Sequence, residues 1–178
     1  NDWLLLVDEL QTGIGRTGTL FAYQQYGILP DVVSFAKGIG GGLPLGGILA
    51  NEKCRNVLGP GMHATTFGGN PVSCAGGCAV LEQLGDDVLE EVKIKGELIR
   101  DYIEGMHSPY VAGVRGLGLM IGVQLTGISH KELAQRCIDR GLLVLTAGTD
   151  TLRLLPPLTI TREEILRGLD ILHSVLCE

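Results

Sequence analysis

The chain has 178 residues, a formal net charge of −6, 45% hydrophobic residues and 27 glycines. That length and apolar content suit one domain, or one and a half, with a sizeable core, and the acidic balance argues against a nucleic-acid surface. No apolar run reaches membrane-spanning length and no signal peptide is visible; the five cysteines, odd in number and without a C-x-x-C pair, read as buried thiols of a reducing cytosol rather than a disulfide frame or a metal site.

The chain opens on Asn1-Asp2-Trp3 directly before an apolar run, with no initiator methionine, which reads as a cut inside a larger protein. Leu4-Leu5-Leu6-Val7 predicts a buried strand ending in Asp8, followed by the glycine-rich loop Glu9 to Gly18. Leu20 to Tyr26 predicts a short helix closed by Gly27. Val32 to Ala36 predicts a second buried strand, which ends on Lys37. The loop that follows, Gly38-Ile39-Gly40-Gly41-Gly42-Leu43-Pro44-Leu45, carries no other charge. Gly46 to Ala50 predicts a further strand and Glu52 to Leu58 a short helix. Met62 to Gly69 is polar and glycine-bounded, hence a loop. Asn70 then offers an N-cap and Pro71 a first helical residue, for a helix to about Leu84 whose first half is all small.

Asp86 caps a second helix to about Met106, with Val88, Leu89, Val92, Leu98, Ile99, Tyr102 and Ile103 near one face and a Glu91–Lys95 pair on the polar side. Val114 to Leu125 reads as one long, glycine-punctuated strand. Ser129 and Glu132 form a capping box for a helix ending at Gly141. Leu142 to Leu145 and Thr151 to Leu155 read as strands, the latter stopped by Pro156-Pro157. Thr161 and Glu164 cap a last helix to about Leu176.

Two strand ends carry the chemistry. Burial and apolar surroundings favour the neutral, nucleophilic form of a lysine, which a Schiff base with an aldehyde cofactor requires. Lys37 is placed for that role; its plainer reading is a lysine that ends a strand. A phosphate-binding loop fits less well, because there the lysine follows the glycines. In open α/β sheets, ligands sit beyond the carboxyl ends of the strands. Asp8 occupies such an end, as Lys37 does. An aspartate beside a pyridinium nitrogen keeps that nitrogen protonated, as pyridoxal phosphate (PLP) chemistry needs.

Three segments then carry a family resemblance: Asp8-Glu9-Leu10-Gln11-Thr12-Gly13-Ile14-Gly15-Arg16-Thr17-Gly18, Ala36-Lys37-Gly38-Ile39-Gly40-Gly41-Gly42-Leu43-Pro44-Leu45-Gly46, and Thr65-Thr66-Phe67-Gly68-Gly69-Asn70-Pro71. In this order they resemble the class III (ornithine-type) PLP-dependent aminotransferases, and within that class the acetylornithine type. The resemblance covers essentially the whole chain and corresponds to the C-terminal half of such enzymes. It implies an α/β fold: part of the fold type I large domain, with a mostly parallel sheet and helices, over residues 1–107, and a small C-terminal α+β domain over 108–178. It also implies that the absent N-terminal half carries the ring-stacking aromatic and the main phosphate-binding loop.

The resemblance implies roles for single residues. Lys37 holds the cofactor and moves the proton, and Asp8 partners the pyridine nitrogen. Gln11 hydrogen-bonds the phenolic oxygen, unless it is an exposed loop glutamine. Thr66, with Thr65 as an adjacent alternative, reaches the cofactor phosphate of the other subunit, which implies a homodimer with shared active sites. Arg153, a lone arginine in an apolar strand, binds the substrate carboxylate, unless it lies on the exposed face of an edge strand. His63 holds its loop. Arg16 reads as a structural contact, and Glu9 has no assigned role. The reaction so implied is transamination of N-acetylornithine with 2-oxoglutarate in arginine biosynthesis, in the cytoplasm, with small-molecule amino-acid and 2-oxo-acid substrates and neither nucleic acid nor membrane as partner. The alternatives are ornithine, succinylornithine or 4-aminobutyrate transamination, or a non-catalytic fragment.

Overall fold

A computed structural model of the chain describes residues 2–177; Asn1, part of the opening segment read as a cut, lies outside them. The chain divides into two compact units, Asn1–Leu89 and Glu90–Glu178.

The first unit is built on a three-stranded sheet of order β1-β2-β3, with β1 at Leu6–Asp8, β2 at Val32–Ala36 and β3 at Gly46–Ala50. β1 and β2 run parallel, with Leu6 opposite Val32 and Asp8 opposite Ser34. β3 returns antiparallel, so one of the two pairings is parallel and a mostly parallel sheet is not seen within this unit. The return is short because Lys37 to Leu45 turns back on itself, which leaves no room for a crossover helix. β1 is shorter than the apolar run that predicts it, and Leu6 is 64% exposed. Its only described partner is β2, so one edge of the strand is open.

Asp31 ties the three strands together at the end opposite the glycine loops. Its carboxylate accepts hydrogen bonds from the Leu5 N–H (2.9 Å) and Asn51 Nδ2 (2.7 Å), and Lys53 Nζ lies 3.4 Å away. Those donors, the Leu5 amide foremost, hold the carboxyl below its ordinary range. A depressed carboxyl contributes stability above its unfolded value and loses it as pH falls through the folded one. Urea midpoints measured from neutral to acid pH are therefore expected to fall less steeply in Asp31→Asn than in the parent.

The core of this unit is small: Ile14, Phe21, Val33 and Ile39, with Tyr23, Phe35, Leu45 and Val80 packed against it. Ala22–Tyr26 forms a 3-10 turn ended by Gly27 in the left-handed region. The helix predicted from Glu52 to Leu58 shrinks to a 3-10 turn at Glu52–Cys54, which buries Cys54 while Val57 and Leu58 stay exposed. α1 spans Pro71–Gln83, and the Asn70 side chain accepts from the Val72 and Ser73 N–H groups.

α2, Asp86–Gly105, has Asp86 as its first helical residue rather than its cap. It buries Val92, Ile99 and Ile103 in the core of the second unit. The compact units therefore part at Leu89/Glu90, ahead of most of this helix, where the sequence places the line at 107/108. The second unit continues with β4 (Val111–Leu117), β5 (Met120–Leu125), α3 (His130–Asp139), β6 (Leu145–Ala147), β7 (Thr151–Leu154) and α4 (Arg162–Leu176). Its sheet is antiparallel, of order β4-β5-β7-β6.

The single strand predicted over Val114 to Leu125 is a hairpin. Gly118 turns the chain at φ 52°, and Leu119, although in the turn, is fully buried. α4 carries its complete capping box and α3 the Ser129 half of one. Glu91 and Lys95 form the expected pair at 3.6 Å. No helix among the described residues is long and apolar enough to cross a membrane.

Candidate active site

The parallel pairing of β1 and β2 puts both of their carboxyl ends on one side of the sheet. Asp8 ends β1 and is exposed there. Its Oδ1 accepts from the Leu10 N–H at 3.0 Å and from Ser34 Oγ at 3.2 Å. Oδ2 takes neither contact. Lys37 directly follows β2. It is exposed and forms no ion pair among the described residues, so the apolar burial expected of it is not supplied by them.

The backbone at Lys37 is unusual. Its φ is 56°, in the left-handed region that a residue with a Cβ enters only at a cost. The following 3-10 turn, Lys37–Gly40, ends on Gly41 at φ 58°. α1 holds this turn from outside. A Cβ on Gly76 would stand 2.8 Å from Leu43 Cδ1, and one on Gly77 would stand 2.6 Å from Leu45 Cδ2. The run of small residues in α1 is thus what lets the helix lie against the lysine turn.

Glu9 was left without a role by sequence reasoning, and its burial explains it. The side chain is 1% exposed, and its carboxylate accepts from the Ala22 N–H (3.1 Å), the Tyr23 N–H (2.8 Å) and the Thr12 hydroxyl. It caps the 3-10 turn at Ala22–Tyr26 and so folds the Gly13 to Gly18 loop back onto the strand end. Gly13 makes this possible: its N–H donates to the Glu9 carbonyl at 3.0 Å, and a Cβ there would sit 2.8 Å from that oxygen. The available signal was alternation, since the residue after an exposed strand-end aspartate faces the opposite side. Gln11 is exposed in the loop so formed. Arg16 is half-buried in it, and burial pulls its pKa down from the ordinary arginine value.

Thr66 is exposed in the turn that leads to Asn70, and Thr65 packs over Gly68, where a Cβ would meet Thr65 Cγ2. His63 is exposed in the same segment. The first amides of α1 are already taken by Asn70, so the hydroxyl of Thr66 rather than the helix end is the available donor. The first unit therefore contains Asp8, Gln11, Lys37 and Thr66. Arg153 belongs to the second unit, on β7 between β5 and β6, opposite Gly122 and Leu145. It is half-buried with its Nε fully covered, and its strand is an inner one, so the edge-strand placement does not hold. On the same face, Arg115 donates to Thr151 Oγ1 at 3.0 Å.

The described residues fit a PLP-type ligand: a carboxylate oxygen that takes no hydrogen bond from another described residue, an exposed amine at the neighbouring strand end, and a glycine turn that keeps side chains off the approach. The profile of the family described as Aminotransferase class-III matches residues 1–176. The chain is 45% identical to an acetylornithine aminotransferase of Caldanaerobacter subterraneus subsp. tengcongensis, over 100% of this chain and 46% of the relative. Among solved structures it is similar to the N-acetylornithine aminotransferase of Stenotrophomonas maltophilia (TM-score 0.88, 35% identity, 99% of this chain and 47% of that one). It is also similar to an ornithine aminotransferase of Toxoplasma gondii, in which PLP partly occupies the active site (TM-score 0.90, 30% identity, 97% and 43%). The chain thus spans about half the length of the relatives it matches. The chain belongs to the class-III aminotransferases.

Proposed function

We propose that this chain contributes the lysine-bearing half of a PLP-dependent aminotransferase acting on N-acetylornithine and 2-oxoglutarate to give N-acetylglutamate semialdehyde and glutamate, in arginine biosynthesis. The observation that carries the reading is the placement of Asp8 and Lys37 at the carboxyl ends of adjacent parallel strands. PLP, when bound, supplies an aldehyde that takes up the amino nitrogen and a ring that accepts the electron pair released at the substrate Cα.

This chain's own residues take the following parts in that chemistry. Lys37 would hold PLP through Nζ, at its aldehyde carbon. With PLP bound, Nζ would also be the group that carries the proton at the substrate Cα. Asp8 Oδ2 accepts a hydrogen bond from the ring N–H and keeps that proton in place. Gln11 bonds the phenolic oxygen, and Thr66 donates to the phosphate of the other protomer of a homodimer. Arg153 pairs with the substrate carboxylate. Residues 1–107 belong in this reading to the large domain and 108–178 to the small C-terminal domain, in a cytoplasmic enzyme.

In this reading the residues that bind the distal part of the substrate mostly lie in the half of the relatives that this chain does not cover. Ornithine, succinylornithine and 4-aminobutyrate are therefore the comparison donors, and a non-catalytic role is the rival. Rates of glutamate formation with each donor separate these: N-acetylornithine is expected to be fastest, and no turnover with any of them overturns the reading. Arg153→Ala is expected to raise the KM for 2-oxoglutarate about a hundredfold with little change in kcat. Arg153→Lys recovers part of this, because lysine keeps the charge and loses the bidentate fork.

A further inference from the structure

We propose that Ser34 is a positioning residue for the Asp8 carboxylate; the inference rests on the reading of Asp8 as the partner of the ring nitrogen. Asp8 and Ser34 are register partners on the parallel strands β1 and β2. Ser34 donates its hydroxyl to Asp8 Oδ1, the oxygen that also receives the Leu10 N–H. Two donors on one oxygen oppose rotation of the carboxylate and leave Oδ2 as the oxygen presented to a ligand. Asp8 is exposed, so no packing does this in their place.

Ser34 stands out in its own strand. Val32, Val33, Phe35 and Ala36 around it are apolar, and a serine has lower strand propensity than any β-branched residue there. Its carbonyl also accepts, at 2.9 Å, the N–H of Glu9, the residue that follows β1. Glu9 in turn anchors the loop carrying Gln11. Ser34 lies on β2, three residues before Lys37, which directly follows that strand. The orientation of the carboxylate is thereby referred to the strand that leads into the amine. Removing the Leu10 N–H takes a proline, which also fixes the loop backbone, whereas alanine removes the Ser34 hydroxyl alone.

The test compares the parent, Ser34→Ala and Ser34→Thr proteins after loading with PLP. Alanine deletes the donor, whereas threonine keeps it and suits a strand. Three quantities are read: borohydride labelling of Lys37, the pH dependence of the visible absorption band, and kcat and KM with an amino donor. All three proteins are expected to label at Lys37 to the same extent. Ser34→Ala alone is expected to shift the pH dependence of the band and to lower kcat about tenfold at unchanged KM, the loss of one hydrogen bond to a charged group. Ser34→Thr is expected to restore both.

Identical bands and kcat in Ser34→Ala and the parent overturn the positioning role. A lowered urea midpoint with reduced labelling in Ser34→Ala overturns it too, in favour of a purely structural role. Absence of label at Lys37 in the parent overturns the underlying reading of the site, and is told apart because it precedes any comparison of variants.

Discussion

Lys37→Gly is expected to be more stable than the parent and to hold no covalently attached cofactor. The two effects have separate causes. At φ 56° a residue with a Cβ costs about 1–2 kcal/mol over glycine. Glycine gives back roughly 0.5–1 kcal/mol in unfolded-state entropy, so the net gain is about 0–1.5 kcal/mol. Little packing is lost, because the side chain is exposed. Activity is expected to fall on the order of 10^4-fold, since both the attachment point and the proton carrier disappear. Lys37→Ala separates the causes: it also loses activity, but keeps the left-handed strain and the parent's stability. Urea denaturation of the three proteins, alongside their turnover, checks both halves. A glycine variant less stable than the alanine variant would mean that the strain is absent.

Gly96→Ala is expected to destabilise the second unit by about 1–2 kcal/mol, against the helix propensity of alanine. Gly96 is buried in α2. A Cβ there would stand 2.3 Å from the Gly118 carbonyl oxygen and 2.7 Å from its carbon. Those neighbours are backbone in the tight β4–β5 turn, so no side chain can swing aside. The helix must move outward and loosen Val92, Ile99 and Ile103, which share its buried face. Propensity favours alanine by about 1 kcal/mol, and overpacking of this kind costs more. Gly105 in the same helix has nothing within 4 Å of such a Cβ, so Gly105→Ala is expected to be neutral to slightly stabilising. Chemical denaturation of both variants should therefore give opposite signs.

How much of this was legible beforehand depends on where the information lies. Local chemistry was readable. Asn70-Pro71 starts α1, Thr161 and Glu164 cap α4, and Val32 to Ala36 and Gly46 to Ala50 are strands with the expected bounds. The hairpin at Gly118 was not readable, because Leu117-Gly118-Leu119-Met120 continues the apolar run and Leu119 is buried in spite of the turn. A strand is read by its pattern, and here the turn keeps the pattern.

The site divides in the same way. Lys37 could be picked out as a single charge at the end of an apolar run, and Asp8 as the first charge at the end of another. Glu9, Ser34 and Asp31 were missed as structural residues because their partners lie across strands or a loop away: Ala22 and Tyr23 for Glu9, Asp8 for Ser34, Leu5 and Asn51 for Asp31. Hydrogen bonds between distant positions leave no period in a sequence. The left-handed backbone at Lys37 was hidden for a related reason, since the glycines beside it already explain a flexible loop.

The central claim is that Lys37, with Asp8 beside it, is the attachment site of PLP. Incubation of the protein with PLP, reduction with borohydride and peptide mapping by mass spectrometry test it most directly. The account predicts one phosphopyridoxyl group per chain, confined to Lys37. Labelling spread over Lys53, Lys93, Lys95 and Lys131, with no preference for Lys37, would contradict it.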